Sequence, residues 1–147
     1  MSNYGKWTHG VIKMAEKTKT PLTAHEDILW ASVCEMVSGV FATPTDRWCY
    51  GHDGNFGEER FAMPRAVACY IAKHENGLNW GTSRIRVALS DTPFMKNQNT
   101  VLSAVRTCRN LLWCDGGVYK WAMIEAIRRF CEINSVDLDA MLPPCRL

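Results

Sequence analysis

The residues best suited to chemistry in this chain form a run of amides beside a cation, Lys96-Asn97-Gln98-Asn99-Thr100. Asn and Gln side chains hydrogen-bond adenine through two atoms at once, and Thr can touch a thymine methyl or a phosphate. Placed at the start of a helix, the run also offers free backbone N–H groups to a phosphate. Ser103 and Arg106 follow on the same side of such a helix, and no Asp or Glu occurs between Gln98 and Leu112. This chemistry suits the edges and backbone of double-stranded DNA.

Other chemistries find less support. Cys49-x-x-His52 has ligand spacing, but no second pair completes the four ligands of structural zinc, so no metal is expected. Asp53-Gly-Asn-Phe-Gly57 opens like a calcium loop, yet Pro64 stands where a bidentate Glu is needed. No Gly-x-x-x-x-Gly-Lys-[Ser/Thr] phosphate loop exists in the chain. No Cys/His pair carries a hydrolase signature. The expectation is a protein that is not an enzyme and needs no cofactor.

Charge supports the same reading once it is divided along the chain. The net +2 conceals a middle third, residues 60–113, with eight cations against Glu75 and Asp91. The flanking thirds are net acidic. A phosphate backbone rewards that asymmetry. Seven scattered cysteines make a poor disulfide framework and suggest core packing in a reducing compartment. With no run of about 20 apolar residues and no signal-like start, a cytoplasmic, nucleoid-associated protein without membrane contact is expected.

The elements that must position these residues are helical nearly throughout. Thr23-Ala-His-Glu26 has the form of a capping box before the apolar run Ile28, Leu29, Val33, Met36, Val37 and Val40. Residues 6–19 fit either a short helix or a loose arm. Residues 45–62, rich in Gly, Asp and Asn, predict a long loop of net charge −2. Pro64 suits a first helical turn, with Val67, Tyr70, Ile71 and His74 following and Asn76-Gly77 as the stop. A short helix, Thr82 to Leu89, precedes a break. The next helix, Gln98 to Leu112, has Asn97 as N-cap and Val101, Val105, Cys108 and Leu112 as its core stripe. A last long helix ends near Asn134, with Tyr119, Met123, Ala126, Phe130 and Ile133 inward and Trp121 on its polar arc.

In order and spacing, Pro64-Arg65-Ala-Val-Ala-Cys-Tyr-Ile-Ala-Lys73, Ile85-Arg-Val-Ala-Leu89 and Asn99-Thr-Val-Leu-Ser-Ala-Val-Arg106 form one pattern. It resembles the C-terminal DNA-binding domain of the bacterial replication initiator DnaA, over about residues 26–113. The resemblance implies an all-α domain with a central helix-turn-helix (Trp-repressor-like), to which this chain adds a C-terminal helix. It places Arg65 and Lys73 as backbone-contacting cations. Lys96 to Thr100 fall where the family carries Arg-Asp-His-Thr-Thr. The central Asp-His-Thr is replaced, which implies a different preferred sequence. The family's basic minor-groove loop is acidic here, and the break between the helices is about four residues longer.

The expected organisation is an arm or short helix at 1–22, the DNA-binding domain at 23–113 and a packed extension at 114–147. Base contacts are expected from Asn97, Gln98, Asn99 and Ser103. Backbone contacts are expected from Arg60, Arg65, Lys73, Lys96, Thr100 and Arg106. The partner is double-stranded DNA, with a homodimer or protein partner meeting Trp121. The role is a transcriptional regulator or a bacterial or phage replication accessory. The alternative is a protein-interaction module that modulates a DNA-binding partner.

Overall fold

Helix α1, Ala24–Phe41, begins where its capping residues dictate. In the computed structural model, which describes residues 20–49, 58–89, 98–114 and 117–144, the Thr23 amide donates to Glu26 Oε1 at 2.9 Å. The Glu26 amide returns the bond to Thr23 Oγ1 at 3.1 Å, so two orphan donors are satisfied reciprocally. Trp30, Val33, Cys34 and Val37 form the buried stripe. Ile28, expected in that stripe, is 68% exposed, because it lies off the arc that positions 30, 33, 34 and 37 define. The helix ends at Ala42 in the left-handed conformation, φ 52°.

The expected long loop at 45–62 is shorter than its composition suggests. Thr45–Trp48 makes one helical turn, α2, and residues 59–62 already belong to the next helix. Trp48 explains the first departure. It is fully buried, and its Nε1 donates to Ser38 Oγ at 2.9 Å, while the Ser38 and Thr45 hydroxyls stand 2.6 Å apart. Burying an aromatic of this size contributes about 1.5–3 kcal/mol, enough to hold the turn against α1. Residues 50–57 lie outside the described residues.

Helix α3, Glu59–Lys73, is the centre of the fold. Pro64 stands inside it rather than in its first turn. Buried Phe61 anchors the added turn, with Arg47 and Arg60 over its ring at 5.5 Å and 4.6 Å. From Pro64 to Ala72 every residue is buried. A helix apolar on all sides must be covered on all sides, and α1, α2, α5 and α6 do this here.

Gly77 closes α3. A Cβ there would meet the Ile71 carbonyl oxygen at 1.9 Å, so only glycine lets the chain fold back this tightly. The return places the Leu78 and Trp80 amides on the Ile71 and Ala72 carbonyls at 3.1 Å and 2.8 Å. Trp80 then stacks against Trp30, centroids 6.2 Å apart.

Helix α4, Thr82–Ala88, buries Ile85 and Ala88, and Leu89 just beyond it. Helix α5, Gln98–Trp113, buries Val101, Ala104, Cys108 and Leu112 against α3. Helix α6, Val118–Asn134, packs on α1, α3 and α5 through Met123, Ala126, Ile127, Phe130 and Cys131. Ile133, expected inward, is exposed; Ile127 and Cys131 hold the inner arc instead. Helix α7, Leu138–Met141, lies over the end of α3, where the Tyr70 hydroxyl donates to the Met141 carbonyl. One core therefore runs from Trp30 to Met141.

The fold is all-α, with no strand among the described residues. None of the described helices is long and apolar enough to cross a membrane. Cys34, Cys49, Cys69, Cys108 and Cys131 are buried free thiols. Burial pushes Cys69 up to about 12 and raises Cys108. A hydrogen bond with Cys49, and then burial, raises Cys34. The buried thiols pack as small hydrophobes, and Cys34, Cys69 and Cys108 are kept from becoming thiolates.

Candidate nucleic-acid interface

The exposed side of α5 is set by its core stripe. At about 100° per residue, Val101, Ala104, Cys108 and Leu112 face α3. Leu102, Ser103, Arg106, Arg109 and Asn110 occupy an opposite arc of about 120°. All five are exposed. The helix has no acidic residue, so no carboxylate of its own neutralises Arg106 or Arg109. Among the described residues neither arginine forms an ion pair. Arg109 lies over the Trp113 ring at 5.8 Å.

Of the expected base-contacting residues, Ser103 is on this arc. Its carbonyl takes the Thr107 hydroxyl at 2.9 Å, and its own hydroxyl is on the exposed side. Asn97 lies outside the described residues, as do the side chains of Gln98 and Asn99. Lys96 is likewise outside them. Thr100 is half-buried and Arg106 exposed.

Arg65 is corrected. It is 3% exposed, and its Nη1 donates to the Trp48 carbonyl at 3.0 Å. The guanidinium ties α3 to the end of α2 from inside the core and cannot reach a phosphate. Desolvation pushes it down to about 10, against the pull of Cys69 and Cys49. Lys73, eight residues on, points about 80° away from Arg65 around the helix. Lys73 is half-buried in the last turn of α3, where a cation also favours the helix dipole.

Arg60 is exposed, but Glu58 holds it at 2.8 Å and it covers the Phe61 ring. Arg84 of α4 is committed inward. Its Nη2 meets Glu26 Oε1 at 2.6 Å, and it donates to the Thr20 and Pro21 carbonyls at 2.9 Å and 3.1 Å. This hydrogen-bonded guanidinium, aided by the Thr23 amide, holds the Glu26 carboxyl down to about 2.

Arg109 and Arg86 are not among the residues expected from the sequence. Arg86 on α4 is half-buried, and its Nε has no hydrogen-bond partner among the described residues. A signal for Arg109 exists: it sits three residues after Arg106 on a helix without acids. Arg86 on α4 and Arg106 and Arg109 on α5 form no ion pair among the described residues. No protein-family model, curated protein or solved structure matches this chain, which leaves the chemistry of its own surface as the guide to function.

Proposed function

We propose that the chain binds double-stranded DNA, with α4, the 90–97 segment and α5 acting as a helix-turn-helix and α5 entering the major groove. The observation that carries this reading is the exposed arc of α5, where Ser103, Arg106, Arg109 and Asn110 stand on a helix that holds no carboxylate of its own. The major groove admits one helix, read from its amino-terminal end, and the resemblance to the DnaA C-terminal domain supports the same assignment. Gln98, Asn99 and Ser103 read bases; Arg106, with Lys96 and Thr100 at the helix start, holds phosphates. The role that follows is a transcriptional regulator or a replication accessory. Selection from a random duplex pool, followed by mobility shifts at several salt concentrations, tests this. Enrichment of one sequence and a steep fall of affinity with salt are expected; the absence of any shift at micromolar protein and low salt overturns it.

A second reading is favoured by the cleft between α1 and α6, lined by Glu35, Met36, Arg129 and Glu132 and edged by exposed Ile133. Carboxylates beside an exposed aliphatic side chain suit a protein partner better than DNA. In that case the chain is an interaction module that modulates a DNA-binding partner. Failure of the mobility shift, with capture of a DNA-binding protein through Ile133, selects it.

A further inference from the structure

A second groove runs along α1, divided from the α1–α6 cleft by the ridge that carries Glu35. Its volume is about 490 Å3, room enough for side chains from another segment. Buried Trp30 and Cys34, with Ala31, make the apolar part of its lining, and exposed Asp27 and Glu35 add carboxylates. Neither carboxylate forms an ion pair among the described residues, and no described cation lines the groove. An occupant that suits it is apolar and basic at once.

The acidic first third of the sequence contains such a segment. Residues 20–59 hold seven carboxylates against Arg47, whereas residues 1–19 hold four lysines against Glu16. Within the basic part, Trp7, Val11 and Met14 recur at i, i+4 and i+7, and Lys6, Lys13 and Lys17 at i, i+7 and i+11. Residues 1–19 lie outside the described residues, but the point where they join the domain does not. Arg84 donates to the Thr20 and Pro21 carbonyls at 2.9 Å and 3.1 Å and meets Glu26 Oε1 at 2.6 Å. The segment is thus tied to the first turn of α1, one residue from Asp27, where the groove begins. From Asp27 to Ser38 the groove follows α1 for about 16 Å. Residues 1–19 exceed that span even at the helical rise of about 1.5 Å each.

We propose that residues 1–19 seat in this groove, with Trp7 and Met14 on its apolar lining and their lysines against Asp27 and Glu35. A phosphate backbone would take the lysines alone and leave Trp7 in water, whereas the groove takes both. The inference is independent of the duplex reading above. Zero-length carbodiimide coupling, which joins an ammonium to a carboxylate in contact with it, tests the docking on the full chain, mixed in equal parts as isotopically light and heavy protein. Links from Lys6, Lys13 or Lys17 to Asp27 or Glu35 should form within one chain. Trp7→Ala should lower their yield about tenfold, the worth of burying one large apolar side chain, and Trp7→Phe should restore most of it. Docked lysines are withheld from phosphates, so Lys13→Glu with Lys17→Glu should leave duplex affinity and its salt slope unchanged. Three results each overturn the docking: lysines that link to neither carboxylate, links that join light to heavy chains and so assign the groove to a second copy, and a duplex affinity and salt slope that both fall in the lysine double variant, which puts the segment on DNA. Failure to bind duplex, with the links within one chain intact, overturns the duplex reading alone.

Discussion

Two helices present arginines to solvent in opposite company. On α6, Arg128 meets Glu125 at 2.6 Å and also reaches Glu132, while Arg129 shares Glu125 at 2.9 Å. On α5, Arg106 and Arg109 are exposed, and the helix has no acidic residue to offer them. Spacing produces the difference. Carboxylates three or four residues away neutralise α6 in place, whereas every position within that reach of Arg106 is neutral or basic. Paired arginines contribute little to stability at a surface and little net field. Unpaired ones leave a potential that an anion can discharge. Counting cations therefore misleads, since exposed arginines among the described residues divide into a spent set, such as Arg60 and Arg129, and an available set, Arg106 and Arg109.

Arg65 belongs to neither set and gives the largest expected effect. It is buried against the Trp48 carbonyl. Arg65→Ala is expected to cost about 2–4 kcal/mol of stability, from a charge-assisted hydrogen bond and the cavity left behind. Denaturant unfolding checks this. Duplex affinity per folded molecule should stay within about twofold of wild type. A selective loss of binding with unchanged stability would restore Arg65 to the interface and break the division.

The division itself is tested by paired substitutions. Arg106→Ala with Arg109→Ala should lower duplex affinity by about tenfold or more at low salt and reduce the salt slope by about 2, one for each phosphate no longer neutralised. Arg128→Ala with Arg129→Ala removes the same formal charge and should change neither by a comparable amount. Fluorescence anisotropy across a salt series separates them. Equal losses from the two double variants would mean that net charge, not availability, governs binding.

Much of this is legible in the residues. The capping box at Thr23 and Glu26, the acid-free α5 and the exposed Trp121 follow from local rules of spacing and chemistry. What is not legible is tertiary in origin. Phe61 and Trp48 look like members of a polar loop until their burial drives residues 45–48 and 59–62 into helix. Arg65 reads as a surface cation because arginine almost never enters a core unpaired; only the position of the Trp48 carbonyl shows where it goes. Ile28 and Ile133 fit a 3.6-residue period loosely, and the packing of α1 against α3 and α6 chose the neighbouring positions instead. The α5 face is legible because a helix that must bury four residues on one side has no freedom over what it shows on the other.

The smallest expected effect concerns acid. Glu26 and Glu125 are both held down to about 2, Glu26 first by Arg84 and then by the Thr23 amide, Glu125 first by Arg128 and then by Arg129. Their folded values lie below the ordinary 4.5. Their contribution is therefore complete above that value and is lost as pH falls toward 2, because the unfolded chain binds the protons more readily. Melting temperature should decline through that window, and Glu26→Gln or Glu125→Gln should each flatten the decline. Binding supplies the sharper comparison. Because Arg106 and Arg109 have no carboxylate partner among the described residues, Glu125→Gln should leave duplex affinity within about twofold, although it releases Arg129 and leaves Arg128 with Glu132 alone. A larger rise would show that α6 lies near enough to the phosphates to join them, and the boundary between spent and available cations would then depend on pairing alone rather than on the face each helix presents.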